Sequence, residues 1–220
     1  NTPLVNDAFY HVYNRGVAKM ATFLKKSDYQ HFILAMNYYR FHKPALRLSH
    51  GLRLANNQGK RIFDELEGQN QKIVEIIGFT LMPNHFHILL RQLQEGGISA
   101  FLRKLTNSYT KYINTKHERV GPLFQGPFKA VHIDDDYQLI HLSRYIHLNP
   151  LVSYVVSEKD FLLYPWSSLS DYLSASPEGF INPKPILDHF SSKNTYLQFV
   201  LDQTEYAKKL EAIKHITLEE

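Results

Sequence analysis

A chain of 220 residues, 44% hydrophobic and 21% charged, holds enough apolar material for one cored domain plus an appendage, and its composition argues against disorder. It has no cysteine, which excludes disulfides and thiolate metal sites and makes a reducing cytoplasm the expected setting. The net charge of +4 suits a polyanionic partner, whereas a membrane role is not expected: no apolar run could span a bilayer and residues 1–7 lack the features of a secretion signal.

Phe9 to Tyr13 reads as a short strand ended by the turn residues Asn14-Arg15-Gly16. Ser27-Asp28 is a cap for a helix carrying Phe32, Ile33, Met36 and Tyr39 at helical spacing. Periodicity then fades. Arg40, Lys43, Arg47, Arg53, Lys60 and Arg61 occur with no acidic residue before Asp64, which reads as a basic loop, either solvated or in contact with phosphates. Lys72 to Leu81 and His85 to Leu90 predict two antiparallel strands joined tightly through Pro83-Asn84. Ile98, Phe101, Leu102, Leu105, Tyr109 and Tyr112 mark an amphipathic helix. After a Gly/Pro loop, Phe128 to Ile133 alternates as a strand. Asp134, Asp135 and Asp136 then suit the start of a helix expected to stop before Pro150. Ser174 to Pro185 reads as a linker, and Asn194 to His215 as a last helix packed on the outside. The interleaving of strands and helices lacks βα regularity, so an α+β fold with a mostly antiparallel sheet is expected.

Two segments carry candidate chemistry. In Asn84-His85-Phe86-His87 the strand pleat puts His85 and His87 on one face, half of a metal site at little ordering cost. Alone, such a pair is more often structural. In Arg144-Tyr145-Ile146-His147-Leu148-Asn149-Pro150 the helix repeat sets Tyr145 beside a stripe of Leu139, Leu142 and Ile146, with Asn149 one turn later on the same side. Alone, this is more often a packed helix end. Tyr109 and Tyr112 lie on an apolar face and read as core. Arg103, Lys104 and Lys111 point the other way and are available to a nucleic-acid backbone. Trp166 is expected to pack against the domain, and His11 and His132 fall within predicted strands without a further signal.

Together these segments resemble a known family. Met82-Pro83-Asn84-His85-Phe86-His87 resembles the HUH signature (His, bulky hydrophobe, His) of single-tyrosine transposases, and Arg144 to Pro150 resembles the catalytic helix of the REP-associated tyrosine transposase branch. Tyr10-His11-Val12-Tyr13-Asn14-Arg15-Gly16 is similar to that branch's first strand and turn. Gly121 to Lys129 is similar to its segment before the last strand, and Tyr164-Pro165-Trp166-Ser167-Ser168 to its closing motif. The resemblance spans roughly residues 8 to 172. It implies a ferredoxin-like, RRM-like HUH nuclease fold over residues 1–172, with a basic insertion at about 40–70, followed by a linker and C-terminal helical extension over 173–220.

It further implies a metal-dependent endonuclease and strand transferase acting on single-stranded or hairpin DNA. Tyr145 is then the nucleophile of a 5′-phosphotyrosine intermediate. His85, His87 and Asn149 are the ligands of Mg²⁺ or Mn²⁺, and Arg15 and Lys129 contact phosphates. A tyrosine hydroxyl titrates near 10, so a base is needed; His141 and His147 are both open as that base. A nucleoid-associated cytoplasmic protein is expected. A homodimer is an open expectation, because insertion-sequence relatives dimerise and the REP-associated branch need not. The rival reading is a transposase-derived, non-catalytic binder of structured DNA or RNA, which has no need of all four site residues. Replication initiators and relaxases fit less well. They carry further helicase- or primase-like regions or a second catalytic tyrosine, and the predicted helix offers only Tyr137, near its start, beside Tyr145.

Overall fold

The structure is a computed structural model that describes residues 4–42, 44, 48, 58–174, 179–205 and 208. Its main elements are β1 (Phe9–Arg15), α1 (Lys26–Tyr39), α2 (Gln58–Gln69), β2 (Val74–Met82), β3 (His85–Gln92), α3 (Gly97–Lys116), β4 (Lys129–Ile133) and α4 (Asp136–Val152). Three short helices follow: α5 (Leu169–Leu173), α6 (Lys184–Leu187) and α7 (Lys193–Leu201). The strands form an antiparallel sheet in the order β2-β3-β1-β4. With the chain order βαββαβ this is the expected α+β, ferredoxin-like arrangement.

The pleat divides the sheet into two chemically different faces. Tyr10, Val12, Phe86, Ile88 and Leu90 are fully buried under α1 and α3, where Phe32 lies edge-on to Tyr109 and 5.2 Å from the Phe86 ring. Helix α3 contributes Phe101, Leu102, Leu105 and Tyr109 to this core, each worth about 1.5–3 kcal/mol when fully buried. On the other face, β1 presents His11, Tyr13 and Arg15 in register with Leu89, His87 and His85 of β3. Helix α4 crosses this second face. Gly78 of β2 lets it come close, because a Cβ there would stand 3.3 Å from Ser168 Oγ and 3.6 Å from His147 Nε2.

The outer edge of β2 is not left open. Leu81 N–H donates to the Trp166 carbonyl and Ser168 N–H to that of Phe79, while the Tyr164 hydroxyl donates to the Leu81 carbonyl at 2.6 Å. The Tyr164–Ser168 motif thus runs along the edge as a short cover, which protects it from foreign strands. Trp166 stacks on Tyr29 at 4.6 Å, packed as expected.

Several expectations need correction. Helix α1 begins one residue before Ser27, and Asp28 caps it from the third helical position by accepting from the Leu24 and Lys25 N–H groups. Helix α4 does not stop before Pro150 but runs to Val152. The proline forfeits one helical hydrogen bond, yet residues 146–152 are all buried, and Ser153 N–H still reaches the Asn149 carbonyl. The stretch expected to be a linker holds buried Ile181, and Asn182 N–H bonds the Ile76 carbonyl. The last helix does pack against the outside of the domain, burying Tyr196 and Val200 of α7 while Asn194, Thr195 and Gln198 are exposed.

The basic stretch is not a loop throughout either, because residues 58–69 form α2, whose Phe63 packs on Tyr38. Lys43, Arg47 and Arg53, and the side chains of Lys60 and Arg61, lie outside the described residues. Arg40 is 3% exposed, ion-paired with Glu67 and 4.5 Å over the Phe41 ring, so it is a structural cation and not a phosphate contact. Arg40→Ala should therefore lower stability by about 1–3 kcal/mol in a urea melt. The salt dependence of any DNA binding should not change.

Candidate functional site

The exposed end of the second sheet face opens into a cleft of about 740 Å³. Its floor is the end of β1 and the start of β3. The Gly121–Lys129 segment is pinned beside it, because Val17 N–H donates to the Leu123 carbonyl and Gln125 N–H to that of Arg15. One wall is α4, held by its Asp135 cap, whose side chain accepts from Gln138 N–H. Arg15, His85, His87, Lys129, Tyr145 and Asn149 all line this cleft, so six of the predicted site residues converge although they come from four different elements.

The other three do not. Arg103, Lys104 and Lys111 lie on α3, across the sheet from the cleft, and Lys111 lines a separate shallow depression with Arg119. If they meet nucleic acid, it is not at this cleft.

His85 and His87 face each other edge to face, with ring centroids 4.9 Å apart. Each ring has one nitrogen occupied by a neighbour: His85 Nδ1 by Asn84 Oδ1 at 2.6 Å and His87 Nδ1 by His11 Nε2 at 2.9 Å. Burial, helped by the Arg15 guanidinium, pushes the His85 ring down to about 4. Burial, with His11, His85 and Arg15 adding to it, holds His87 well below the usual imidazole range. Both rings are thus neutral at pH 7, the form that ligates a metal without first losing a proton. Asn149, 5% exposed, adds a hard amide oxygen, which accepts from Ser153 Oγ at 3.4 Å. Two imidazoles and an amide oxygen fit a divalent ion such as Mn²⁺ or Mg²⁺. No group of three His, Cys, Asp or Glu suited to a metal occurs among the described residues.

Tyr145 is 42% exposed, and its ring lies edge-on to His87 at 5.4 Å and to His11 at 6.1 Å. Tyr109, in contrast, is fully buried and donates to the Thr22 carbonyl at 2.8 Å, while Tyr112 stacks on His31 at 3.8 Å, so neither faces the cleft. His147 cannot serve Tyr145 as a base. It points to the opposite side of α4, fully buried, with Nδ1 against Tyr196 Oη at 2.6 Å and Nε2 against Ser168 Oγ at 2.8 Å. Burial pushes it down to about 3. His141 packs on Tyr137 and Phe199, and its Nδ1 accepts from Arg144.

The cleft also contains residues that sequence reasoning did not single out. Lys19 joins Arg15 and Lys129 on its lining, and no acidic residue lines it among those described. Lys19 follows Ala18 in a left-handed turn, with φ of 59° and 53°. Gly16 makes that turn possible, because a Cβ there would sit 2.2 Å from the Met20 carbonyl oxygen. His11 was visible in the alternation His11-Tyr13-Arg15, but its pairing with His87 depends on the strand register.

Residues 54–149 match the family model described as "Transposase IS200 like". Over that segment, less than half of its length, the chain is similar to the IS200-like transposase family. The matched segment includes His85, His87, Tyr145 and Asn149. In fold, the chain is similar to the solved structure of a REP-associated tyrosine transposase bound to a REP hairpin. The two superpose with a TM-score of 0.54 at 14% identity, over 82% of this chain and 87% of that one. No curated protein matches the sequence. No helix among the described residues is long and apolar enough to cross a bilayer.

Proposed function

We propose that this protein is an IS200-like transposase that cuts and rejoins single-stranded DNA, with Tyr145 as nucleophile and a divalent metal held by His85, His87 and Asn149. The observation that carries the proposal is the meeting of these four side chains in one cleft with Arg15, Lys19 and Lys129 and no acidic residue. A phosphodiester repels nucleophiles by its charge, and a cleft lined by three cations lowers that barrier while drawing the backbone in. The bound metal would supply charge neutralisation of a non-bridging phosphate oxygen. Tyr145, edge-on to two imidazoles and open to the cleft, attacks phosphorus through its hydroxyl oxygen. The P–O bond to the 3′ oxygen breaks, the hydroxyl proton passes to a base, and the leaving oxygen takes up a proton as a 3′-hydroxyl. A 5′-phosphotyrosine remains. It conserves the bond energy, so a 3′-hydroxyl attacking it reverses the step or joins a different strand without ATP.

The fold neighbour's REP hairpin makes hairpin-bearing single strands the first substrates to test. The test is incubation with 5′- and 3′-labelled hairpin oligonucleotides and Mn²⁺, scored for a covalent protein–DNA adduct. An adduct that forms with Mn²⁺ and is lost with EDTA supports the proposal. Specific hairpin binding with no adduct under any divalent ion would make the protein a binder and defeat it.

DNA affinity should also fall steeply with salt, because each neutralised phosphate releases counterions. With the three cleft cations the logarithmic slope is expected to be about −2 for single strands, at about −0.7 per contact. Replacing Lys19 or Lys129 with Ala should each flatten it by somewhat less than one unit. A slope unchanged in both variants would remove the cleft as the DNA path.

A further inference from the structure

We propose that Asn84 is a positioning residue that locks His85 in the tautomer with its proton on Nδ1, leaving Nε2 as the nitrogen free to bind metal. The inference deepens the proposed function and rests on it only for the metal, because the tautomer itself is a property of the metal-free protein.

Asn84 occupies the two-residue connection between β2 and β3, next to His85 in the chain. Its Nδ2 donates to the Lys19 carbonyl at 3.0 Å. A carbonyl oxygen only accepts, so the amino end of the side chain is committed to that contact. The other end, Oδ1, then faces His85 Nδ1 at 2.6 Å. An amide oxygen also only accepts, so Nδ1 must carry the hydrogen. A neutral imidazole has a single N–H, which leaves the Nε2 lone pair unprotonated. Flipping the amide would oppose two oxygens at Lys19 and force the other tautomer on His85, so the Lys19 carbonyl decides which nitrogen of His85 can ligate.

That carbonyl is held firmly. Gly16 N–H donates to the Asn84 carbonyl at 2.8 Å, and Thr22 and Phe23 N–H both donate to that of Pro83. The left-handed turn at Ala18 and Lys19 is thereby stapled to the β2–β3 connection from both sides. Backbone strain of this kind persists only where surrounding contacts impose it. One amide therefore links two features of the cleft, the metal-ready nitrogen of His85 and the place of Lys19 on the lining. His87 has no equivalent constraint, because its Nδ1 partner is another imidazole that can donate or accept.

The test is long-range ¹H–¹⁵N NMR of ¹⁵N-histidine-labelled, metal-free protein, with Mn²⁺ affinity measured in parallel by calorimetry. Wild type should show His85 protonated at Nδ1. Asn84→Asp loses the donor to the Lys19 carbonyl but should keep Nδ1 protonated, because both carboxylate oxygens only accept. Asn84→Ala should populate the Nε2–H form and lose about 10- to 100-fold in Mn²⁺ affinity, the usual cost of removing a ligand's outer partner. A wild-type His85 protonated at Nε2 overturns the proposal. So does an Asp variant that loses the Nδ1–H tautomer, or an Ala variant that keeps both tautomer and affinity. The Asp arm decides the matter if the Ala variant does not fold. Should wild type bind no Mn²⁺ while the tautomers behave as expected, Asn84's effect on His85 stands and the metal reading fails.

Discussion

Tyr145→Phe is expected to abolish the covalent adduct while leaving DNA affinity and thermal stability almost unchanged. The substitution removes one oxygen from a ring that is 42% exposed at the cleft wall, so little buried packing is lost. A metal-bound cleft without that oxygen still attracts phosphate but has no group to hold it covalently. The same change at two other tyrosines makes the comparison informative. Tyr109→Phe strips a buried hydrogen bond to the Thr22 carbonyl and should cost about 1–2 kcal/mol of stability with adduct formation intact. Tyr112→Phe, whose hydroxyl donates to Asp28 at 3.3 Å, should cost less. Adduct formation by Tyr145→Phe, scored on a denaturing gel with labelled hairpin DNA, would remove Tyr145 as the nucleophile. Loss of the adduct only in Tyr109→Phe would assign the chemistry to α3.

The four candidate site residues were legible because local spacing groups them in pairs and a family resemblance gives the pairs a role. A strand puts i and i+2 on one face, and a helix puts i and i+4 on one side, so His85 with His87 and Tyr145 with Asn149 needed no tertiary information. The order of elements was legible for a similar reason, since hydrophobic period and turn residues agree at each boundary. What failed depends on where the chain folds back. Arg40 reads as one more member of a basic run until α2 brings Glu67 beside it. Pro150 reads as a stop, but burial of the whole last turn of α4 outweighs one missing hydrogen bond. His11 and Lys19 gain their places only in three dimensions: one needs the β1–β3 register, the other a left-handed turn that Gly16 allows and whose Lys19 carbonyl meets Asn84, 65 positions away.

His147 shows the same limit most clearly, and it supports a second prediction of large effect. Within the helix motif it looks as available for proton transfer as any imidazole near a tyrosine. The fold instead buries it completely, between Tyr196 of α7 and Ser168 of the segment covering the β2 edge. Burial holds its ring down at about 3, against a usual value near 6.5. Between those two limits the unfolded chain takes up a proton that the folded protein refuses, so stability is full above pH 6.5 and drains away as pH falls toward 3. One group with a shift of this size accounts for several kcal/mol, on the order of the whole stability of many domains. His11 and His85, both pushed down to about 4, act in the same direction over the upper part of that window. His147→Gln keeps a donor and an acceptor but cannot titrate. It should cost about 1–3 kcal/mol at pH 7, yet reduce the slope of stability against pH by up to one proton between 6.5 and 3. Urea melts of both proteins at pH 7, 5.5 and 4.5 measure this, and parallel slopes would show that His147 is not the group being titrated. The same contacts predict what yields first. His147 joins α4 to both α7 and the edge segment, so its protonation releases the helix carrying Tyr145 and Asn149. Adduct formation should therefore fall over this pH window in wild type and fall less in His147→Gln.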